Sequence, residues 1–408
     1  MAPAEVDGAG SPRKVADALL AWFRRVRRPL PWRRDRDPYR IWVAEVLLQQ
    51  TRVAQATPYF ERFVDRFPTV EALAQARLPE VLTAWAGAGY YGRARRLHEA
   101  ARTVVDRCAG QWPSTVEGWE ALPGVGPYIA RAVVSLAFGL PVVALEANGA
   151  RVVARWRREE GDITSNRVRS RLGAALALYL PGDAAGAFNE AVMELGETVC
   201  TPVSPNCPSC PVRFGCRAYR ELADPATIPK RAARKARPHL RAAVAVVADP
   251  SGRWLVQRRP LRGLLGGLWE FPGGKIRPGE RPAHAARREL FEETGLRAGR
   301  LRPAGIVRHG YSHFSVTIHV FEGVAGGTPR GPRTERRWVR PDRLGALPLP
   351  RATEKIVARL SRPGTASPDS GSRPGRTSAS PTRARRRRPR RARARRTGVS
   401  AARSRAPH

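Results

Sequence analysis

Four of the five cysteines in this 408-residue chain, Cys200, Cys207, Cys210 and Cys216, fall within seventeen positions, spaced C-x6-C-x2-C-x5-C. Four thiolates this close suit a tetrahedral zinc site or a [4Fe–4S] cluster; zinc sites usually carry two C-x2-C pairs, and here there is one. Cys108 stands apart and reads as a core residue. A second group is acidic: Glu289, Glu292 and Glu293 stand at i, i+3 and i+4 of a helical pattern, so their carboxylates share one face. Such a face suits Mg²⁺ on a nucleotide diphosphate, an exposed acidic helix being the ordinary alternative. Glu45 is a lone acid among Val43, Ala44, Val46, Leu47 and Leu48. Burial there would raise its pKa and keep a proton on it for general acid chemistry. Finally, Leu122-Pro-Gly-Val-Gly126 opens into the apolar run Tyr128–Phe138. Glycines ahead of a helix let backbone N–H groups and the helix dipole meet a phosphate, although alone the pattern could be an ordinary turn.

The elements that must hold these groups fall into two textures. From Val15 to Tyr219 apolar positions recur every three or four residues, which predicts helices such as Val15–Val26, Ile41–Phe67, Thr69–Ala86 and Gly92–Cys108. A basic stretch with prolines at 225, 229 and 238 reads as a linker. Beyond it, Ala242–Ala248, Trp254–Gln257, Ser315–Phe321 and Glu335–Val339 read as strands around a helix at Arg281–Thr294. The expected organisation is a leader at 1–13, a helical domain at 14–220 with the cysteine loop at 200–216, a linker at 221–240, an α+β domain at 241–361 and a tail at 362–408. The leader and tail are expected to be disordered. The tail holds fifteen arginines against one acid, Asp369, and supplies +14 of the formal +38. A surplus this large points to a polyanion, nucleic acid before anionic membrane, and most of it lies outside the tail. Arginine outnumbers lysine so heavily (Lys14, Lys230, Lys235, Lys275 and Lys355 are the lysines) that base composition has shaped the choice of cation. With neither a long apolar run nor a signal-peptide pattern, the chain reads as cytosolic and free of disulfides.

The cysteine spacing and the glycine turn 80 residues before it together resemble the helix-hairpin-helix superfamily of endonuclease III. That resemblance implies a [4Fe–4S] cluster on the four cysteines and phosphate binding at Gly124 and Gly126. Lyase-competent members carry a nucleophilic lysine just after the glycines; Tyr128 stands in that place here, so no Schiff base to the sugar can form there. Leu30-Pro-Trp-Arg33, Ile41 to Thr51, Gly89 to Arg95 and Phe188 to Gly196 are more specific and look like the adenine DNA glycosylase (MutY) family, over Leu30–Tyr219. The resemblance implies monofunctional removal of adenine mispaired with 8-oxoguanine or guanine in double-stranded DNA, by a monomer associated with the nucleoid. It also implies that Glu45 protonates adenine N7 and later helps activate water, with Tyr128, Asn148 and Glu190 around the pocket. Arg33 and Gln49 would meet DNA, and the pair Tyr90 and Tyr91 offers a wedge into the duplex, two core aromatics being the alternative. The family's Asp-Gly-Asn reads Glu146-Ala-Asn148 here. Glu146 keeps the charge that would stabilise an oxocarbenium-like sugar but is one methylene longer, a displacement of roughly 1 Å that can reduce a rate about 10²-fold.

In the second domain, the run from Gly274 through Glu280, Arg288, Glu289, Glu292 and Glu293 to Leu296 fits the Nudix signature at every fixed position. It resembles MutT, which hydrolyses 8-oxo-dGTP with Mg²⁺. In the glycosylase family this domain instead reads the lesion through a Phe-Ser-His loop, matched here by Tyr311-Ser-His313, which makes Ser312 and His313 the expected 8-oxoguanine contacts. The fold expected is thus an all-α helix-hairpin-helix glycosylase with an iron–sulfur loop, then an α+β Nudix-type domain and a disordered Arg-rich tail. Two other readings stay open: a reader that is also a pyrophosphatase, and a DNA-tethered pyrophosphatase whose glycosylase site is impaired at Glu146.

Overall fold

The structure, a computed structural model, describes residues 11–108, 110–230, 236–261, 263–330 and 335–361. Helices α1 (Pro12–Val26), α2 (Pro38–Leu48), α3 (Val53–Arg66), α4 (Val70–Gln75), α5 (Leu78–Ala84), α6 (Gly92–Arg107), α7 (Val116–Glu120) and α8 (Pro127–Phe138) come first. They are followed by α9 (Ala147–Arg157), α10 (Asn166–Ala177), α11 (Ala185–Thr198) and α12 (Arg217–Glu221). Helix α1 reaches into the leader expected at 1–13: Ser11 caps the Lys14 N–H, and Pro12 begins the helix. The single run expected over Ile41–Phe67 is two helices. Gln50 takes a left-handed φ of 63°, and the Arg93 guanidinium of α6 satisfies the end of α2 by donating to the carbonyls of Val46, Leu47 and Gln49. Likewise Thr69–Ala86 divides into α4 and α5 at Ala76.

These helices build two cores. One gathers Trp42, Phe60, Phe63, Trp85, Trp119 and Val133 from α2 to α8. The other gathers Leu19 and Phe23 of α1 with Val153, Leu172, Phe188 and Leu195 of α9 to α11. Helix α8 packs on both α2 and α11, so the seam between the cores runs along it. Part of the expected linker belongs to the helical half: Ile228 is buried, and its carbonyl accepts from Arg155 at 2.8 Å.

The second half is a seven-stranded sheet of β1 (His239–Ala248), β2 (Trp254–Arg258), β3 (Trp269–Glu270), β4 (Gly273–Lys275), β5 (Arg302–Gly310), β6 (Ser315–Val324) and β7 (Arg336–Val339). The order is β3-β2-β1-β6-β5, with β4 on β1 and β7 on β2; β1 and β6 are parallel from His239↔Ser315 to Ala248↔Val324. Alternation along β1 sends Ala243, Ala245 and Val247 to one face, where α13 (Pro282–Thr294) brings Ala286 and Leu290. Val246 faces the other side, against Ile356 of α14 (Arg351–Leu360). Three strands and α14 escaped the sequence pattern: β3 and β4 are two and three residues long, and β5 is mostly exposed with Pro303 and Gly305 in a bulge.

Candidate active site

Helix α2 is buried from Ile41 through Leu47, which is why Glu45 is buried with only 6% exposure. Burial pushes its carboxyl up to about 7; Glu146 and Glu190 push the same way, while the Tyr128 hydrogen bond and Arg33 pull it down. The Tyr128 hydroxyl donates to Glu45 Oε2 at 2.7 Å from α8, and burial followed by Glu45 itself holds that phenol well above its ordinary range.

Glu146 and Asn148 lie across the seam at the start of α9. Glu146 is the N-cap: its carboxylate curls back to accept from the N–H groups of Asn148 and Gly149, each at 2.6 Å. Burial pushes this carboxyl up, and the two backbone donors, then Arg151 and Arg169, oppose it. The loop before it is fixed by buried Asn189, which accepts from Ala144 N and donates to Ser135 Oγ and Val142 O. Arg169 holds the Leu145 carbonyl at 2.7 Å, and Arg151 holds Asn148 Oδ1 at 3.0 Å. Gly196 brings α11 close: a Cβ there would sit 2.9 Å from that of Asn148. Glu190 on α11 pairs with Arg33 Nε at 2.8 Å. The site thus joins Glu45 and Tyr128 from one core to Glu146, Asn148 and Glu190 from the other.

Two residues expected to meet DNA are enclosed in this structure. Arg33 has an 8% exposed side chain held between Glu190 and Glu194, both at 2.8 Å. Tyr91 is buried, its hydroxyl donating to the Leu349 carbonyl at 3.3 Å; the packing of the two domains claims it. Gln49 and Tyr90 remain exposed. Tyr90 has a left-handed φ of 50°, and its hydroxyl meets Ser312 Oγ. Ser312 and His313 are both exposed at the β5–β6 turn, where Tyr311 lies against Phe314 with centroids 4.7 Å apart. Gly124 has φ +76°, and Gly126 caps α8 with open space where a Cβ would point.

All four clustered cysteines line one small cavity, with Arg155 donating to Cys200 Sγ at 3.2 Å. Burial pushes the thiols of Cys210 and Cys216 up to about 12 and 11, so thiolates there call for a cationic group. In the Nudix-like half, a Cβ on Gly274 would fall 2.5 Å from the Glu289 carboxyl. Arg288 bridges Glu280, Glu289 and Glu292 at 2.7 to 3.0 Å. Glu293 instead accepts from Gln257 and Gly273 N, and burial pushes it up to about 7. The acids therefore share the expected helix but answer to different partners, and among the described residues no three His, Cys, Asp or Glu are placed to hold one metal ion.

Sequence reasoning passed over Arg93, Arg151, Arg169 and Glu194. The last carries the same signal as Glu45, an acid inside an apolar helical run, Ala191 to Gly196.

A helical domain with a glycine hairpin beside a buried acid, joined to a Nudix-like sheet, defines a base-excision DNA repair protein. Residues 43–176 match the HhH-GPD superfamily base excision DNA repair protein family, and residues 243–359 match the NUDIX domain family. The chain is 36% identical to the adenine DNA glycosylase of Homo sapiens, over 85% of this chain and 74% of that one. It is 37% identical to the adenine DNA glycosylase of Mus musculus, over 74% of this chain and 69% of that one. Among solved structures, a thermostable thymine-DNA glycosylase is 29% identical over 52% of this chain and 99% of its own, with a TM-score of 0.48. The chain belongs to the adenine DNA glycosylase family and is a hydrolase of N-glycosyl bonds in DNA.

Proposed function

We propose that the chain removes adenine paired with 8-oxoguanine, or with guanine, and that it does so without strand cleavage. Glu45, kept protonated by burial, gives its proton to adenine N7. The C1′–N9 bond then breaks, and its electron pair leaves with the base. Glu146 faces the resulting sugar cation, with Tyr128, Asn148 and Glu190 shaping the pocket. Water adds to C1′, and its proton returns to Glu45. The observation that carries this reading is the buried Glu45–Tyr128 pair at 2.7 Å: the position of a lyase lysine is filled by a phenol committed to the acid. Gly124 and Gly126 hold backbone phosphates, Gln49 and Tyr90 meet the opened duplex, and Ser312 with His313 reads 8-oxoguanine. Cys200, Cys207, Cys210 and Cys216 would hold a [4Fe–4S] cluster: the four soft thiols line one cavity, and a bound cluster would tie the 200–216 loop together. The chain acts as a monomer, with a helical domain that runs from Pro12 to Ile228 and a second domain at 239–361.

The test is a duplex holding one 8-oxoguanine·adenine pair. Strand scission at the adenine only after alkali, lost in Glu45→Gln, is the expected result. Scission without alkali, or none, overturns the reading. A second reading adds Mg²⁺-dependent hydrolysis of 8-oxo-dGTP, favoured by the complete acidic spacing on α13. Arg288 already bridges three of the acids, so a metal would have to displace it. Turnover of 8-oxo-dGTP by the full chain, abolished by Glu292→Gln, would establish that activity.

A further inference from the structure

Glu194 has no part in the chemistry above, yet it is more enclosed than Glu45, 1% exposed against 6%. Its oxygens take Arg28 twice, Nη2 at 3.0 Å on Oε2 and Nε on Oε1, and Arg33 Nη1 at 2.8 Å on Oε2. Arg28 reaches on to Glu197 at 2.6 Å, and Arg27 to Glu190 at 3.5 Å. A buried carboxylate needs a partner, and the two-pronged Arg28 already supplies one. Arg33 adds a different connection. It leaves a short 3-10 turn at Pro31–Arg33 and lies over the Phe23 ring at 5.4 Å, and its planar fork joins Glu194 to Glu190. We propose that Glu194 is a positioning residue for base excision: it clamps the Arg33 guanidinium and thereby sets the orientation of Glu190 and the charge that faces Glu45.

The proposal rests on Glu45 as the acid. The groups facing Glu45 are Tyr128 from α8, Glu146 from the start of α9, Glu190 from α11 and Arg33 from the 3-10 turn; Arg33 alone among them is cationic. Burial pushes Glu194 up, but Arg28 and Arg33 outweigh it and hold the carboxylate ionised. Replacing that anion with an amide frees Arg33 charge toward the pocket, which favours ionised Glu45 and moves loss of the acid to lower pH.

The experiment is single-turnover excision against pH in Glu194→Gln, beside binding of a duplex carrying an uncleavable adenine analogue. The rate is expected to fall about tenfold or more through lost alignment. The alkaline limb should move down by at least about half a pH unit, with duplex affinity changed less than about threefold. Glu194→Asp, which keeps the charge, should restore the limb. A folded Glu194→Gln protein with the parent rate and profile overturns the proposal, and so does a rate loss that merely follows a lowered Tm with no shift of the limb. Should Glu194→Gln not fold, Arg33→Lys tests the same link, because an ammonium cannot span both carboxylates in this way; an unchanged rate there overturns it. Glu45→Gln in the same series separates the two ideas: an active Glu45→Gln removes the acid, whereas an inert Glu45→Gln beside an unaltered Glu194→Gln removes only the clamp.

Discussion

A carboxyl can give up a proton near neutral pH only where its surroundings disfavour the ionised form, and at Glu45 those surroundings are a buried stretch of helix and two nearby acids. The same arrangement works against stability. With the folded pKa raised from 4.5 to about 7, the group's contribution is fully present below 4.5 and is lost as pH rises toward 7. Glu45→Gln should therefore be inactive yet more stable than the parent at pH 7.5, by on the order of 2 kcal/mol in a denaturant melt, with the gain vanishing at pH 4. Equal stability at both pH values would mean that Glu45 is not strained by burial. Tyr128 pulls in the opposite direction, since its hydrogen bond favours the carboxylate. In Tyr128→Phe the pKa of Glu45 rises further, so excision should persist to higher pH than in the parent, even where the maximal rate falls. A limb that moves to lower pH would contradict the assigned direction of the bond.

The elements do two jobs around that residue: they bring backbone donors to charge, and they join parts distant in sequence. Gly124 has φ +76°, and a Cβ would lie 2.5 Å from the Arg96 Cβ, whereas Gly126 has φ −98° and open space. Gly124→Ala should lower stability by about 1–3 kcal/mol and weaken duplex binding. Gly126→Ala should leave stability nearly unchanged and disturb only the approach of a phosphate, which melting curves and binding titrations would separate. Much of this layer was legible beforehand, because turn glycines, apolar spacing and the cysteine cluster are local signals. Glu45 was legible for the same reason: an acid inside an apolar run announces its own burial. What stayed hidden depends on contacts across the chain. Nothing local to Arg33 marks that Glu190 and Glu194, more than 150 positions away, hold its guanidinium. Tyr91 looked equivalent to Tyr90 until the second domain covered it. Glu146 suggested a displaced carboxylate; that its two oxygens cap its own helix start depends on one side-chain conformation. No spacing rule specifies such a rotamer.

At the scale of the molecule, the helical and Nudix-like halves meet through specific contacts: Arg95 donates to the Gly266 carbonyl at 2.8 Å, and Leu268 is buried in the helical core. Tyr90, expected as a wedge into the duplex, and Ser312, expected as a lesion contact, come from different halves and touch. No helix among the described residues is long and apolar enough to cross a membrane. The positive charge is divided, with +14 of the +38 in residues 362–408, which lie outside the described residues, and the rest in the preceding chain. Phosphate neutralisation releases counterions, so each tail arginine that meets DNA should steepen the fall of log K with log salt by about 0.9. A chain ending at Ser361 should therefore bind duplex more weakly at low salt and with a shallower slope. Its excision rate at saturating protein should equal that of the full chain, because the acid, its phenol and the pocket all lie in the helical domain. Measuring both quantities across a salt series separates capture from chemistry. An unchanged slope would show that the tail does not touch DNA, and a fall in the saturating rate would show that the tail reaches the site itself.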